Sequence, residues 1–250
     1  MLRSILKIAG PDREKFLQGL VTNDVRRLAS EGLLYAAILS PQGKYLVDFF
    51  ILSRDDALLI DVAQDHADDL LRRLTLYKLR SNVTVEQVDM PVSRGTGTRA
   101  EAALSDPRHP ALGWRLYGVA LPEDGTDWDA LRVAHCIPET GIELIPNDTY
   151  ILEAGFERLN GVDFRKGCYV GQEVTARMHH KTTLRKGLTT VTFDGDAGFG
   201  AEICADSKPV GQIFTCAGNK AIAYLRLDRA DRPLFAGQAR VHLDTSIKTA

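Results

Sequence analysis

The chain has 250 residues, 44% hydrophobic and 26% charged, with a formal net charge of −2. That is the composition of an ordinary globular protein, long enough for one or two domains with a proper core. The slight acidity argues against a general nucleic-acid binder, and no apolar run approaches the length of a membrane span.

Residues 2 to 8 read as a strand. Gly10-Pro11-Asp12 turns the chain, and Asp12 is placed to cap a helix carrying Phe16, Leu17, Leu20 and Val21. Thr22-Asn23-Asp24 interrupts that helix. Two apolar runs, Leu33 to Leu39 and Tyr45 to Leu52, flank Ser40-Pro41-Gln42-Gly43-Lys44 and so read as a hairpin. Ala57 to Val62 is a further strand. Apolar residues at 67, 70, 71, 74 and 77 mark one face of a helix over 63 to 80. Val83, Val85 and Val88 give another strand, and Trp114 to Leu121 the next. Asp127 then caps a helix through about His135, and 142 to 164 carries little regular pattern. After Lys186, short β-like runs separated by Gly and Asp/Asn turns suggest a small barrel. Strands and helices mix without βαβ alternation, so the fold class is α+β, with a body over 1–182 and a C-terminal β-barrel over 183–250.

The first eight residues are interrupted by charge, unlike a signal peptide, and are neither Arg/Ser-rich nor acid-poor like a transit sequence. Cysteines 136, 168, 204 and 216 form neither a disulfide framework nor a zinc pattern. Both observations point to the cytoplasm of a bacterium. Basic clusters at Arg26-Arg27, Arg72-Arg73, Lys78 to Arg80 and Lys181 to Lys186 read as solvated surface, though one could receive a polyanionic small molecule.

The sharpest stretch is Lys166-Gly167-Cys168-Tyr169-Val170-Gly171-Gln172-Glu173. A short helix over Val174 to His180 follows, with Glu173 and Arg177 at pairing distance. Cys168 thus precedes a helix N-terminus beside Arg165 and Lys166, and both features favour a thiolate. Gly167 and Gly171 permit a tight turn and close approach of a ligand. The thiol reads as a buried packing residue, as a nucleophile with His179 or His180 as base, or as one ligand of a metal cluster. An iron–sulfur cluster usually takes four cysteines, so a cluster on Cys168 would be shared with a partner protein. Cys136, Cys204 and Cys216 read as packing residues.

With Asn160-Gly161-Val162-Asp163-Phe164 before it and Val174-Thr175-Ala176-Arg177 after it, the octapeptide resembles the signature of the YgfZ family. These are folate-binding relatives of the glycine-cleavage T-protein, implicated in making or repairing iron–sulfur enzymes. The T-protein branch has a related segment without the cysteine. The resemblance implies a T-protein-like folate-binding body, a C-terminal β-barrel and a tetrahydrofolate cofactor. It also implies an accessory role toward [4Fe–4S] enzymes, with an A-type iron–sulfur carrier and client enzymes as partners. In that reading Cys168 and Lys166 are the reactive pair, and Gly167, Tyr169, Gly171, Gln172, Glu173 and Arg177 support them. Asn23, Asp48 and Arg80 match stretches of the family's folate pocket, as does Arg132. Asp48 stands where T-protein relatives carry an acidic pair, and Phe49 takes the second place, which argues against aminomethyl transfer. Two rivals remain: a folate-dependent one-carbon transferase, and a folate-binding regulator of tRNA modification.

Overall fold

A computed structural model of the chain describes residues 2–181 and 183–244. The chain divides into two compact units, Met1–Thr126 with Glu157–Glu173 and Asp127–Phe156 with Val174–Ala250.

The first unit opens with β1 (Arg3–Ala9), α1 (Arg13–Gln18) and the short α2 (Leu28–Glu31). Then come β2 (Leu33–Leu39), β3 (Tyr45–Arg54), β4 (Ala57–Ala63), α3 (Gln64–Lys78) and β5 (Thr84–Val88). These five strands form one antiparallel sheet in the order β2-β3-β4-β1-β5. Strands β6 (Val92–Gly95), β7 (Leu104–Ser105) and β8 (Trp114–Tyr117) form a second sheet in the order β6-β8-β7.

Alternation along the strands divides the large sheet into two faces. Leu6 and Ile8, Leu34, Ala36 and Ile38, Phe49 and Ile51, and Leu58, Ile60 and Val62 pack with Phe16, Leu17, Leu70 and Leu74 of the helices. The alternate set on the opposite face includes Arg3, Tyr35, Asp48, Phe50 and Asp61. Both faces are covered, which is why β2 and β4 are buried along their whole length. Asp12 stands at the start of α1 as expected, but its carboxylate does not cap that helix. It accepts from the backbone N–H of Asn82 at 2.7 Å instead.

In the second unit, α4 (Trp128–His135) begins at Asp127, whose side chain accepts from the N–H of Ala130 at 2.9 Å. Turns fill the segment from there to Phe156. Helix α5 (Gln172–Lys181) carries the chain from the first unit into the second. Strands β9 (Lys186–Asp194), β10 (Glu202–Ala205), β11 (Lys208–Ala217), β12 (Lys220–Arg226), β13 (Leu234–Ala236) and β14 (Ala239–Leu243) close into a barrel in the order β10-β11-β12-β9-β14-β13. The barrel expected after Lys186 is present in the described residues; 245–250 lie outside them.

The compact units differ from a sequential division at residue 182, because residues 127–156 group with the barrel. Buried polar contacts explain the grouping. Arg132 donates to Thr215 Oγ1 at 2.9 Å and to Glu143 at 3.1 Å, and Thr190 Oγ1 donates to the Val133 carbonyl at 2.8 Å. Arg132, matched by resemblance to a folate pocket, is thus a structural residue of the second unit. Among the described residues no helix is long and apolar enough to cross a membrane.

Candidate functional site

The octapeptide forms a turn that is anchored around its thiol. Lys166, expected beside Cys168 as a charge partner, is turned inward and is only 4% exposed. Its Nζ donates to the carbonyl of Gln18 at 2.8 Å and to that of Val21, and it lies 4.7 Å from the centre of the Tyr169 ring. Burial lowers its pKa to about 8, against the opposing pull of Asp24 and Asp163. Tyr169 is itself buried, and Val170 packs against the core of the large sheet. The N–H of Gln172 donates to the Tyr169 carbonyl at 3.3 Å and closes the turn.

Gly171 and Gly167 separate in function. Gly171 has φ +82°, and a Cβ there would press into the Ser40 carbonyl and come within 2.9 Å of Leu39 Cβ. Only glycine seats the turn on the β2–β3 hairpin. Gly167, by contrast, has open space where a Cβ would point. Cys168 between them is exposed, so the packing-residue reading does not hold for it. Glu173 and Arg177 are exposed on α5, and Gln172 is half-buried. Cys136 is buried, while Cys204 and Cys216 are half-buried in the barrel strands.

The residues before the turn are fastened to Thr22-Asn23-Asp24. Thr22 Oγ1 donates to the Gly161 carbonyl at 2.6 Å, and the N–H of Asp163 donates to the Thr22 carbonyl at 3.1 Å. Asn23 is 1% exposed. Its amide donates to the carbonyls of Tyr35 and Asn160, both at 2.8 Å, and its Oδ1 accepts from Asp24 N–H and Arg27. Both amide hydrogens are therefore committed within the protein, and Asn23 acts as a clamp between β2 and the segment leading to Cys168.

Asp48 is buried rather than on a wet hairpin face. It accepts from the hydroxyls of Tyr45 at 2.6 Å and Tyr35 at 2.9 Å. Burial, reinforced by the Asp48 charge, raises the Tyr35 pKa well above its usual 10, so the phenol stays a donor. Three guanidiniums surround the neighbouring aromatic face: Arg115, Arg108 and Arg3 lie 3.8, 4.9 and 5.6 Å from the Phe50 ring centre. Two acids balance them. Asp61 accepts from Arg3 at 2.5 Å, Tyr117 at 2.9 Å and Arg115 at 3.0 Å. Asp106 accepts from Arg108 at 2.8 Å and Arg115 at 3.1 Å. Burial alone would raise the Asp106 pKa, but the two guanidiniums hold it well below the ordinary carboxylate range.

The folate residues expected from sequence do not form one cluster. Arg80 is exposed beyond the end of α3, on the helical side of the large sheet, whereas Asp48 is on the other face. The residues that do surround Asp48, namely Tyr35, Tyr45, Arg3 and Arg108, escaped the sequence reading. Their signal was faint: single acids inside otherwise apolar strands, and arginines in a segment without periodicity. Among the described residues no group of three or more His, Cys, Asp or Glu side chains could hold a metal ion. The arrangement can therefore offer one thiolate to a metal, from a turn fixed on both sides.

Comparison with known proteins places these features. Residues 185–246 match the model of the CAF17 C-terminal beta-barrel domain. The chain is 32% identical to the iron-sulfur cluster assembly factor IBA57 homolog of Mycosarcoma maydis, over 76% of this chain and 55% of that protein, so it spans little more than half of that relative. It is 31% identical to the Homo sapiens IBA57 over 93% of this chain and 78% of the human protein. The fold is also that of the glycine cleavage system aminomethyltransferase T from Bartonella henselae, with a TM-score of 0.77 and 12% identity, covering 96% of this chain and 81% of the other. These findings support the α+β architecture with its barrel. They overturn the cytoplasmic expectation: the relatives of Mycosarcoma maydis, Homo sapiens and Mus musculus are all named as mitochondrial. The character of the first eight residues was too little to decide compartment. The octapeptide's likeness to the wider YgfZ family narrows accordingly, and the chain belongs to the IBA57 family of iron–sulfur cluster assembly factors.

Proposed function

We propose that the chain acts in iron–sulfur cluster assembly as a tetrahydrofolate-binding accessory factor, with Cys168 as a transient ligand of a cluster in transit to [4Fe–4S] enzymes. The observation that carries the reading is an exposed thiol on a turn whose flanking residues, Lys166, Tyr169 and Gly171, are all locked into the body. A thiol held this way meets a partner without reorganising its support. One protein thiolate leaves the other cluster sites to that partner, in this proposal an A-type carrier or the client enzyme.

The face around Asp48 fits a reduced folate chemically. A pterin presents an amino-pyrimidine edge that donates to a carboxylate, and its glutamate tail is anionic. Asp48 supplies a buried carboxylate oriented by two phenols, and Arg108 and Arg115 supply cationic planes on an aromatic floor. Arg80 and Asn23 are left out of this assignment.

The test is complementation of a strain lacking the protein by wild type, Cys168→Ala or Cys168→Ser, with aconitase activity assayed after oxidative stress and protein levels followed by blot. Wild type alone restoring activity supports the thiol's role. Equal restoration by Cys168→Ala removes the cysteine from the function. In parallel, calorimetry with tetrahydrofolate should give binding to wild type that Asp48→Asn weakens about tenfold or more, as expected for a lost charge-assisted bond. Turnover of an aminomethylated carrier by the purified protein would favour the one-carbon transferase instead.

A further inference from the structure

A second feature of the first unit has no part in the thiol turn or in the Asp48 face. Helix α1 and the end of α3 enclose a cleft of about 920 Å³. Phe16, Leu20 and Tyr77 give it an apolar lining, and Lys15, Lys78 and Arg80 stand around it. None of these three cations makes an ion pair among the described residues. The acid lining the cleft, Asp12, is already engaged by the N–H of Asn82. Lys15 and Lys78 lie in the last turns of their helices, where a cation offsets the helix dipole, but that does not account for Arg80.

Beside the cleft, Leu79 is 87% exposed and holds φ +42°, a backbone region that costs a branched-chain apolar residue free energy. Leu76 is 69% exposed on the last turn of α3. The surface thus combines a concavity, two projecting leucines and three cations without acidic partners among the described residues. A small anion would use the cations but leave the leucines in water. A protein surface would cover both. The location adds a second argument. The Gln18–Val21 stretch, whose carbonyls hold Lys166, also supplies Gly19 and Leu20 to the cleft.

We propose that this cleft docks a partner protein through acidic side chains set around an apolar one. We further assign it to the partner that meets Cys168, a clause that rests on the function proposed above. Contact at Gly19 and Leu20 would then bear on the stretch that anchors the thiol turn.

The probe is a short fluorescein-labelled peptide of glutamates around two leucines, titrated into the full chain and followed by anisotropy. Control peptides replace the leucines by serine or the glutamates by glutamine. The surface variants are Lys15→Glu/Arg80→Glu and Gly19→Leu. A Cβ at position 19 meets nothing closer than 3.8 Å, so the leucine can fill the cleft with the fold intact. Affinity is expected to fall about tenfold or more for either variant and for each control peptide, the scale of losing a central contact. Cys168→Ala should bind as wild type. No binding, or binding that neither variant changes, overturns the proposal. Full competition by citrate would make the cleft a small-anion site, and a dimer dissolved by Arg80→Glu in sedimentation would make it a self-association surface; both overturn it. Peptide binding alongside full complementation by Cys168→Ala would leave the docking surface standing while removing the cysteine's role.

Discussion

At the scale of single residues, two glycines frame one thiol under different constraints. Gly171→Ala places a methyl against the Ser40 carbonyl in a left-handed conformation. It should cost about 1–3 kcal/mol in urea unfolding and shift the Cys168 turn, while Gly167→Ala should be near neutral. Should Gly167→Ala preserve stability yet abolish complementation, that open space is functional. Lys166 gives a pH-dependent test. Its folded pKa of about 8 lies below the unfolded value near 10.4, so between these values the unfolded chain holds a proton that the folded chain has released. Stability from this group therefore rises with pH across the window, by up to about 1.4 kcal/mol per pH unit. Lys166→Met lacks that proton, so the stability of wild type relative to the variant should grow from pH 8 to pH 10. A constant difference would place the lysine's proton outside the folding equilibrium.

Among the elements, Asp61 on β4 joins the two sheets of the first unit. It holds Arg3 of β1 together with Arg115 and Tyr117 of β8, and it is fully buried. Removing one member of a buried charge group leaves the others unpaired. Asp61→Ala should cost about 3–5 kcal/mol by denaturant unfolding, more than Asp12→Ala, whose carboxylate serves one backbone N–H. This network also marks the limit of what the sequence disclosed. The strands of the large sheet, the hairpin, α3, α4 with its Asp127 cap and five of the six barrel strands were legible, because each carries a local pattern that tertiary contacts reinforce. Strands β6, β7 and β13 are too short or too rich in turn residues to show one. The cysteine turn was legible as an octapeptide, including the glycine at 171. What could not be read was the direction of Lys166, which depends on carbonyls about 145 residues away. Nor could the role of Asp48 and Asp61 be read, since alternation tells one face from the other but not whether the second face is dry. Single acids in Tyr45 to Arg54 and Ala57 to Ala63 were the signs available.

Across the whole molecule, each compact unit takes two separated stretches of chain. The barrel's unit includes residues 127–156 through Arg132, Glu143, Thr190 and Thr215. A fragment starting at 183 should therefore unfold at lower urea than the full chain's barrel. Supplying 127–156 in the same fragment should recover most of the difference, with unfolding followed by far-ultraviolet circular dichroism. Equal midpoints for the two fragments would show that the six strands are self-sufficient.

The contacts of Lys166 with Gln18 and Val21 span 148 and 145 residues of chain. Contacts this distant in sequence form late, after nearer pairings have already restricted the chain. During synthesis the helices and strands of the first 88 residues can associate long before the octapeptide leaves the ribosome. The cysteine is then among the last pieces set into the first unit, ahead of the barrel. A chain shorter than the octapeptide would thus hold no correctly mounted thiol to capture stray iron, and competence for its chemistry would itself report that the first unit has closed.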